Sequence, residues 1–166
     1  MYTQNSIYII ISNIYSIVFS RYILLEVRHI GIVVTNIENS LKFYRDLLDL
    51  KIERSMNESG EYIDNMLGFE NVHVKTVKMS ASTGNTLVEL LEFTKPSGSK
   101  INCNVNDLGA SHAAFTVSNL DETYLKLKNS GVKFNAPPQL SPDGYAKVTF
   151  CFDPDNTPVE LVQVLK

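Results

Sequence analysis

The chain holds three histidines, and two of them open segments that echo each other. His29-Ile-Gly-Ile-Val-Val-Thr-Asn36-Ile-Glu aligns with His112-Ala-Ala-Phe-Thr-Val-Ser-Asn119-Leu-Asp, so histidine, valine and asparagine recur in register before an apolar and an acidic residue. A second echo pairs Thr86-Leu-Val-Glu89-Leu-Leu with Thr157-Pro-Val-Glu160-Leu-Val. Imidazoles and carboxylates that recur in this way suit one divalent ion with open positions, such as Ni²⁺, Zn²⁺, Co²⁺, Mn²⁺ or Fe²⁺. Ca²⁺ or Mg²⁺ would call for all-oxygen ligation, and the ligand types do not choose among the other five. His73 has no counterpart and stands near Lys75 in an alternating stretch, which reads as a solvated strand position.

Strand side chains alternate between faces. His29 therefore shares a face with Gly31 and Val33, and His112 with Ala114 and Thr116. Glu89 shares its face with Leu87 and Leu91, and Glu160 with Val162. A carboxylate among apolar neighbours is costly to bury unpaired, and a cation removes that cost. Glu92 and Gln163 fall on the opposite faces and read as structural or solvated. After each histidine strand, at 28–34 and 112–117, Asn36 and Asn119 offer N-cap oxygens. The helices that follow present Ile37, Leu41, Tyr44 and Leu48 on one face in the first case, and Leu120, Tyr124 and Leu127 in the second, with Gly131 as terminator. Three strands then complete each unit, at 51–56, 72–80 and 86–93 and again at 132–135, 146–152 and 158–165. The segment 57–71 reads as a loop with a short helix at 61–67. The expected fold class is α+β: two βαβββ modules with pseudo-two-fold symmetry, whose curved mixed sheets surround a central metal cavity. The first module spans 27–95, a linker with Pro96, Ser97, Gly98 and Ser99 spans 96–110, and the second module spans 111–166, together one compact domain over 27–166.

With 166 residues, 44% of them hydrophobic and 20% charged, the chain suits one folded domain and not a disordered one. Fifteen basic against 18 acidic residues leave a formal charge of −3, which lacks the basic footprint of a nucleic-acid binder. Cys103 and Cys151 form no metal pair and no disulfide framework, so they read as small buried side chains in a cytoplasmic protein. Residues 1–26 differ from the rest: Arg21 is the only charge before Glu26, and the stretch from Ile7 to Phe19 is rich in Ile and Tyr. Ser12, Asn13 and Ser16 interrupt that run, which falls short of the ~20 residues needed to span a bilayer and lacks a positive flank before it. It is expected to be an N-terminal extension to the domain, with no membrane partner.

Five ordered motifs resemble the vicinal oxygen chelate superfamily, which includes glyoxalase I, methylmalonyl-CoA epimerase, extradiol dioxygenases and bleomycin-binding proteins. They are R-H-I-G-I-V-V at 28–34, F-Y-R-D-L-L-D-L at 43–50, V-E-L-L-E at 88–92, S-H-A-A-F-T-V at 111–117 and D-P-D-N-T-P-V-E-L at 153–161. Asp49 and Asn156 stand where the family often has glycine, and both residue types tolerate the left-handed conformation better than most. The resemblance implies that His29, Glu89, His112 and Glu160 are metal ligands, a set most like that of bacterial glyoxalase I. It implies a metal-dependent lyase or isomerase that moves a proton through an enediolate or enolate of a small 2-oxo substrate or its thiol adduct. Glu160 or Glu89 would be both ligand and base, with Glu160 preferred. No other cofactor is implied. An epimerase or dioxygenase reaction, or an antibiotic-binding role without chemistry, are the competing expectations. The superfamily completes such sites within one chain or across a homodimer.

Overall fold

The computed structural model describes Leu24, residues 26–99 and residues 104–166. Most of the expected N-terminal extension, and Cys103, lie outside the described residues. The first module runs β1 (His29–Val33), α1 (Ile37–Leu41), a π-helical continuation (Lys42–Leu47), β2 (Lys51–Ser59), α2 (Glu61–Leu67), β3 (His73–Ser80) and β4 (Leu87–Lys95). The second runs β5 (Ala113–Thr116), α3 (Leu120–Asn129), β6 (Gln139–Leu140), β7 (Ala146–Phe152) and β8 (Pro158–Val164). The sheets have matching orders, β1-β4-β3-β2 and β5-β8-β7-β6. In each, the histidine-side strand lies parallel to the glutamate strand and the other pairs are antiparallel. This is the expected α+β fold of two βαβββ modules.

The helices are anchored twice, in the same way in both modules. Asn36 and Asn119 accept side-chain cap bonds from the amides of Asn39 and Glu122. Glu92 Oε2 then accepts from the Ile37 amide and Gln163 Oε1 from the Leu120 amide, each at 2.9 Å. These two residues satisfy orphan donors that every helix start leaves. The first helix departs from the expected regular form. From Lys42 it widens to i→i+5 bonding, with Leu48 N–H donating to Phe43 C=O, and Asp49 turns the chain out at φ 62°. The wider turn brings the adjacent Phe43 and Tyr44 both into the core. Asn156 likewise takes a positive φ, 70°.

The expected strand at 132–135 is instead an interrupted edge. Phe134 forms a single bridge to Cys151, and Asn135 N–H and Lys133 C=O bond to β7, before Pro137 and Pro138 remove two ladder donors. Pairing resumes only at β6. The 61–67 helix forms where it was expected, and Ile63 from it packs with Val72 and Val74 beside Leu91 and Phe93.

One apolar core serves both modules. Ile32, Val77, Met79, Val88 and Leu90 from the first sheet and Leu41 and Tyr44 from the first helix join Leu120, Leu127, Cys151, Val159 and Leu161. Burial pushes the Cys151 thiol up to about 12. Polar clasps from the β7–β8 turn tie the modules together: Tyr44 Oη donates to Asp153 Oδ2 at 3.0 Å, and Thr35 donates through its amide and hydroxyl to Asp155. Burial and the facing carboxylate raise the Tyr44 phenol well above its ordinary value, so it stays a donor. Tyr44→Phe is expected to cost about 1–3 kcal/mol in urea unfolding, because Asp153 loses a donor it cannot replace with water.

Burial also raises the Asp153 carboxyl, against hydrogen bonds from Thr157, Tyr44 and Asp155 that pull it down. A carboxyl whose folded pKa is raised contributes stability that is fully present below its unfolded value and lost as pH rises through the folded one. The stability of the natural chain relative to Asp153→Asn is therefore expected to grow as pH falls through the range between them. Unfolding curves of the two proteins across that range check the sign. Among the described residues no helix is long and apolar enough to cross a membrane.

Candidate metal centre

Parallel pairing of β1 with β4 places Gly31 opposite Glu89, so His29 and Glu89 project from the same face of the first sheet. Pairing of β5 with β8 places Ala114 opposite Glu160, and His112, the residue before β5, stands likewise. Each histidine meets its glutamate: His29 Nε2 lies 3.1 Å from Glu89 Oε2, and His112 Nε2 lies 3.2 Å from Glu160 Oε2. The floor must be small. A Cβ at Gly31 would come within 3.3 Å of Leu91 Cδ1. Both pairs lie on sheet faces turned away from the core, whose residues Ile32, Val88 and Leu90 occupy the alternate positions.

The four residues singled out by repetition are thus brought together as two pairs. Among the described residues, no group of three or more His, Cys, Asp or Glu side chains is placed to hold a metal ion. The donor chemistry suits a divalent ion, since each face offers an imidazole nitrogen beside a carboxylate oxygen. Each face, however, offers only two such donors, and a four-donor centre would need both faces.

The pairs are not electrostatic copies. Lys78, the β3 partner of Glu89, places Nζ 3.3 Å from Glu89 Oε1. The corresponding partner of Glu160 is Phe150, whose ring meets His112 edge-on at 5.0 Å. Glu89 therefore has both oxygens engaged and its side chain is 10% exposed, whereas Glu160, at 22%, is held through one oxygen only among the described residues. Lys147 is paired with Asp121 at 2.6 Å, and Tyr62 is exposed on α2. His73 is exposed at the start of β3. A groove of about 580 Å³ runs between Lys42 and Phe43 on one side and Val132, Lys133 and Asp153 on the other. None of the four candidate ligands lines it.

The model of the Glyoxalase/Bleomycin resistance protein/Dioxygenase superfamily matches residues 26–161. The uncharacterised protein YwkD of Bacillus subtilis is 28% identical over 144 residues, covering 85% of this chain and 98% of its own. A lactoylglutathione lyase of Schizosaccharomyces pombe is 29% identical over 143 residues, covering 82% of this chain; the chain spans 47% of the length of that lyase. The crystal structure of a glyoxalase family protein from Bacillus cereus superposes with a TM-score of 0.78 at 22% identity, over 89% of this chain and 99% of its own.

Proposed function

The chain belongs to the Glyoxalase/Bleomycin resistance protein/Dioxygenase superfamily, and on that premise we propose that it is a metal-dependent lyase or isomerase that shifts a proton on a small 2-oxo compound or its thiol adduct. What carries the reading is the pair of His–Glu sets at equivalent positions, His29 with Glu89 and His112 with Glu160, each open to solvent on its histidine side. With two ligands per face, the centre is completed by bringing the first face of one chain against the second face of another copy, as a closed dimer with two equivalent sites.

His29 and His112 would hold the ion through Nε2, and Glu89 and Glu160 through carboxylate oxygen. An ion so held supplies Lewis acidity, which favours loss of a proton from the carbon beside a carbonyl. Glu160 is the base. Its less engaged carboxylate can take the proton and return it to the adjacent carbon, while Glu89 is pinned between His29 and Lys78. Phe150, packed edge-on against His112, would flank the approach to it. The reading is tested by elemental analysis of dialysed protein, followed by measurement of solvent deuterium entering the carbon beside the carbonyl of 2-oxo compounds and thiol adducts. Near-stoichiometric metal with exchange is expected. Protein that holds no metal after reconstitution and promotes no exchange overturns it in favour of a binding role.

A further inference from the structure

The two sheet faces carry matching ligand pairs but opposite neighbours, and the difference bears on what the site binds. In the first sheet, one cross-strand row runs Arg54, Lys78, Glu89 and Gly31. In the second, the row through β7, β8 and β5 runs Phe150, Glu160 and Ala114. Cross-strand partners share a face. The ammonium of Lys78 thus lies on the same face as the His29–Glu89 pair, 3.3 Å from Glu89 Oε1, and the exposed Arg54 is its register partner on β2.

We propose that Lys78 is a specificity-determining residue that recognises an anionic group, a carboxylate carried next to the reacting carbonyl, so that the chain's substrates are 2-oxo carboxylates. This rests on the metal-centre reading above. Two carboxylates balance a divalent ion, and Lys78 then leaves the completed centre with one surplus positive charge beside the substrate's position. A neutral 2-oxo compound leaves that charge uncompensated in a partly desolvated site, where like charges repel strongly. A carboxylate restores the balance and accepts a charge-assisted hydrogen bond from Nζ. Phe150 on the opposing face offers no competing donor, so the anion is held at one end and the substrate is oriented.

The test titrates metal-reconstituted protein with pyruvate and with its neutral analogue pyruvamide by calorimetry, for the natural chain and for Lys78→Met and Lys78→Arg. Metal content is measured on the same samples and on His29→Ala. Pyruvate is expected to bind about tenfold or more tighter than pyruvamide, as a hydrogen bond to a charged group allows. Lys78→Met is expected to abolish that preference by weakening pyruvate far more than pyruvamide in protein that still holds metal, and Lys78→Arg to recover part of it. Lys78→Met protein that retains both its metal and its preference for pyruvate overturns the proposal and leaves the metalloenzyme reading standing. Failure of the natural chain to bind either probe, or an equal loss of both in Lys78→Met, also overturns it. If no sample holds metal, the metalloenzyme reading fails. The proposal falls with it, because the surplus positive charge assigned to Lys78 exists only when the ion balances the two glutamates.

Discussion

Glu160→Gln is expected to lower turnover by about 10³-fold or more, the range that removal of a positioned general base produces, and to leave dialysed protein depleted of metal. Both effects come from one atom exchange. The amide keeps the shape of the carboxylate and can still meet His112 Nε2, now 3.2 Å away, but it carries no charge and cannot take a proton. Adding excess metal separates the two roles. Glu89→Gln and His29→Ala are also expected to lose metal on dialysis, yet with metal in excess Glu89→Gln recovers activity at least about tenfold above Glu160→Gln, since a ligand can be offset by mass action and a base cannot. Equal residual rates in the two glutamine variants would assign the proton transfer elsewhere. Circular dichroism checks the fold of each variant, and because both histidines are exposed their replacement is expected to leave it intact.

Two inactive proteins are expected to restore activity when mixed. One carries His29→Ala with Glu89→Gln, the other His112→Ala with Glu160→Gln. If the centre joins the first face of one chain to the second face of its partner, a mixed dimer has one site in which both faces are altered and one in which both are natural. Random exchange makes about half of the dimers mixed, each with one of two sites intact, so about a quarter of natural activity returns. A centre built inside one chain predicts no recovery, because every chain in the mixture carries an altered pair. The experiment reads activity against mixing ratio after subunits have been allowed to exchange, and a flat line at zero removes the cross-chain assembly.

The pairs themselves were legible because two simple signals coincide on them. Strand periodicity places His29 with Gly31, and the internal echo marks Glu89 and Glu160 as equivalent. The αL turns at Asp49 and Asn156 were legible from residue type. Lys78 was not. Read along β3, it is one of two lysines in an alternating segment, and only the β3–β4 register sets it opposite Glu89. That register depends on how the 80–87 connection closes, which local composition leaves open. Glu92 and Gln163 were placed on the correct face, but their work as second anchors for the helix amides depends on helix-to-sheet packing. The same limit applies to the modules: repetition predicts that they are alike, and says nothing about which faces meet. The interrupted edge at 132–140 shows local chemistry overruling an apolar pattern, since Pro137 and Pro138 withhold the amides that a continuous strand needs.

The shared core makes each half of the molecule depend on the other. Leu120, Leu127, Val159 and Leu161 are buried in the same cluster as Tyr44, Met79 and Leu90, so half of this molecule has no closed interior of its own. A single module of this kind would cover these residues only by pairing with a second copy of itself, at a stability set by its concentration. Joining two modules in one chain makes that concentration a fixed property of the molecule. Within one chain the two halves need not be identical, so Lys78 and Phe150 differ at equivalent positions while Glu92 and Gln163 anchor the two helices alike.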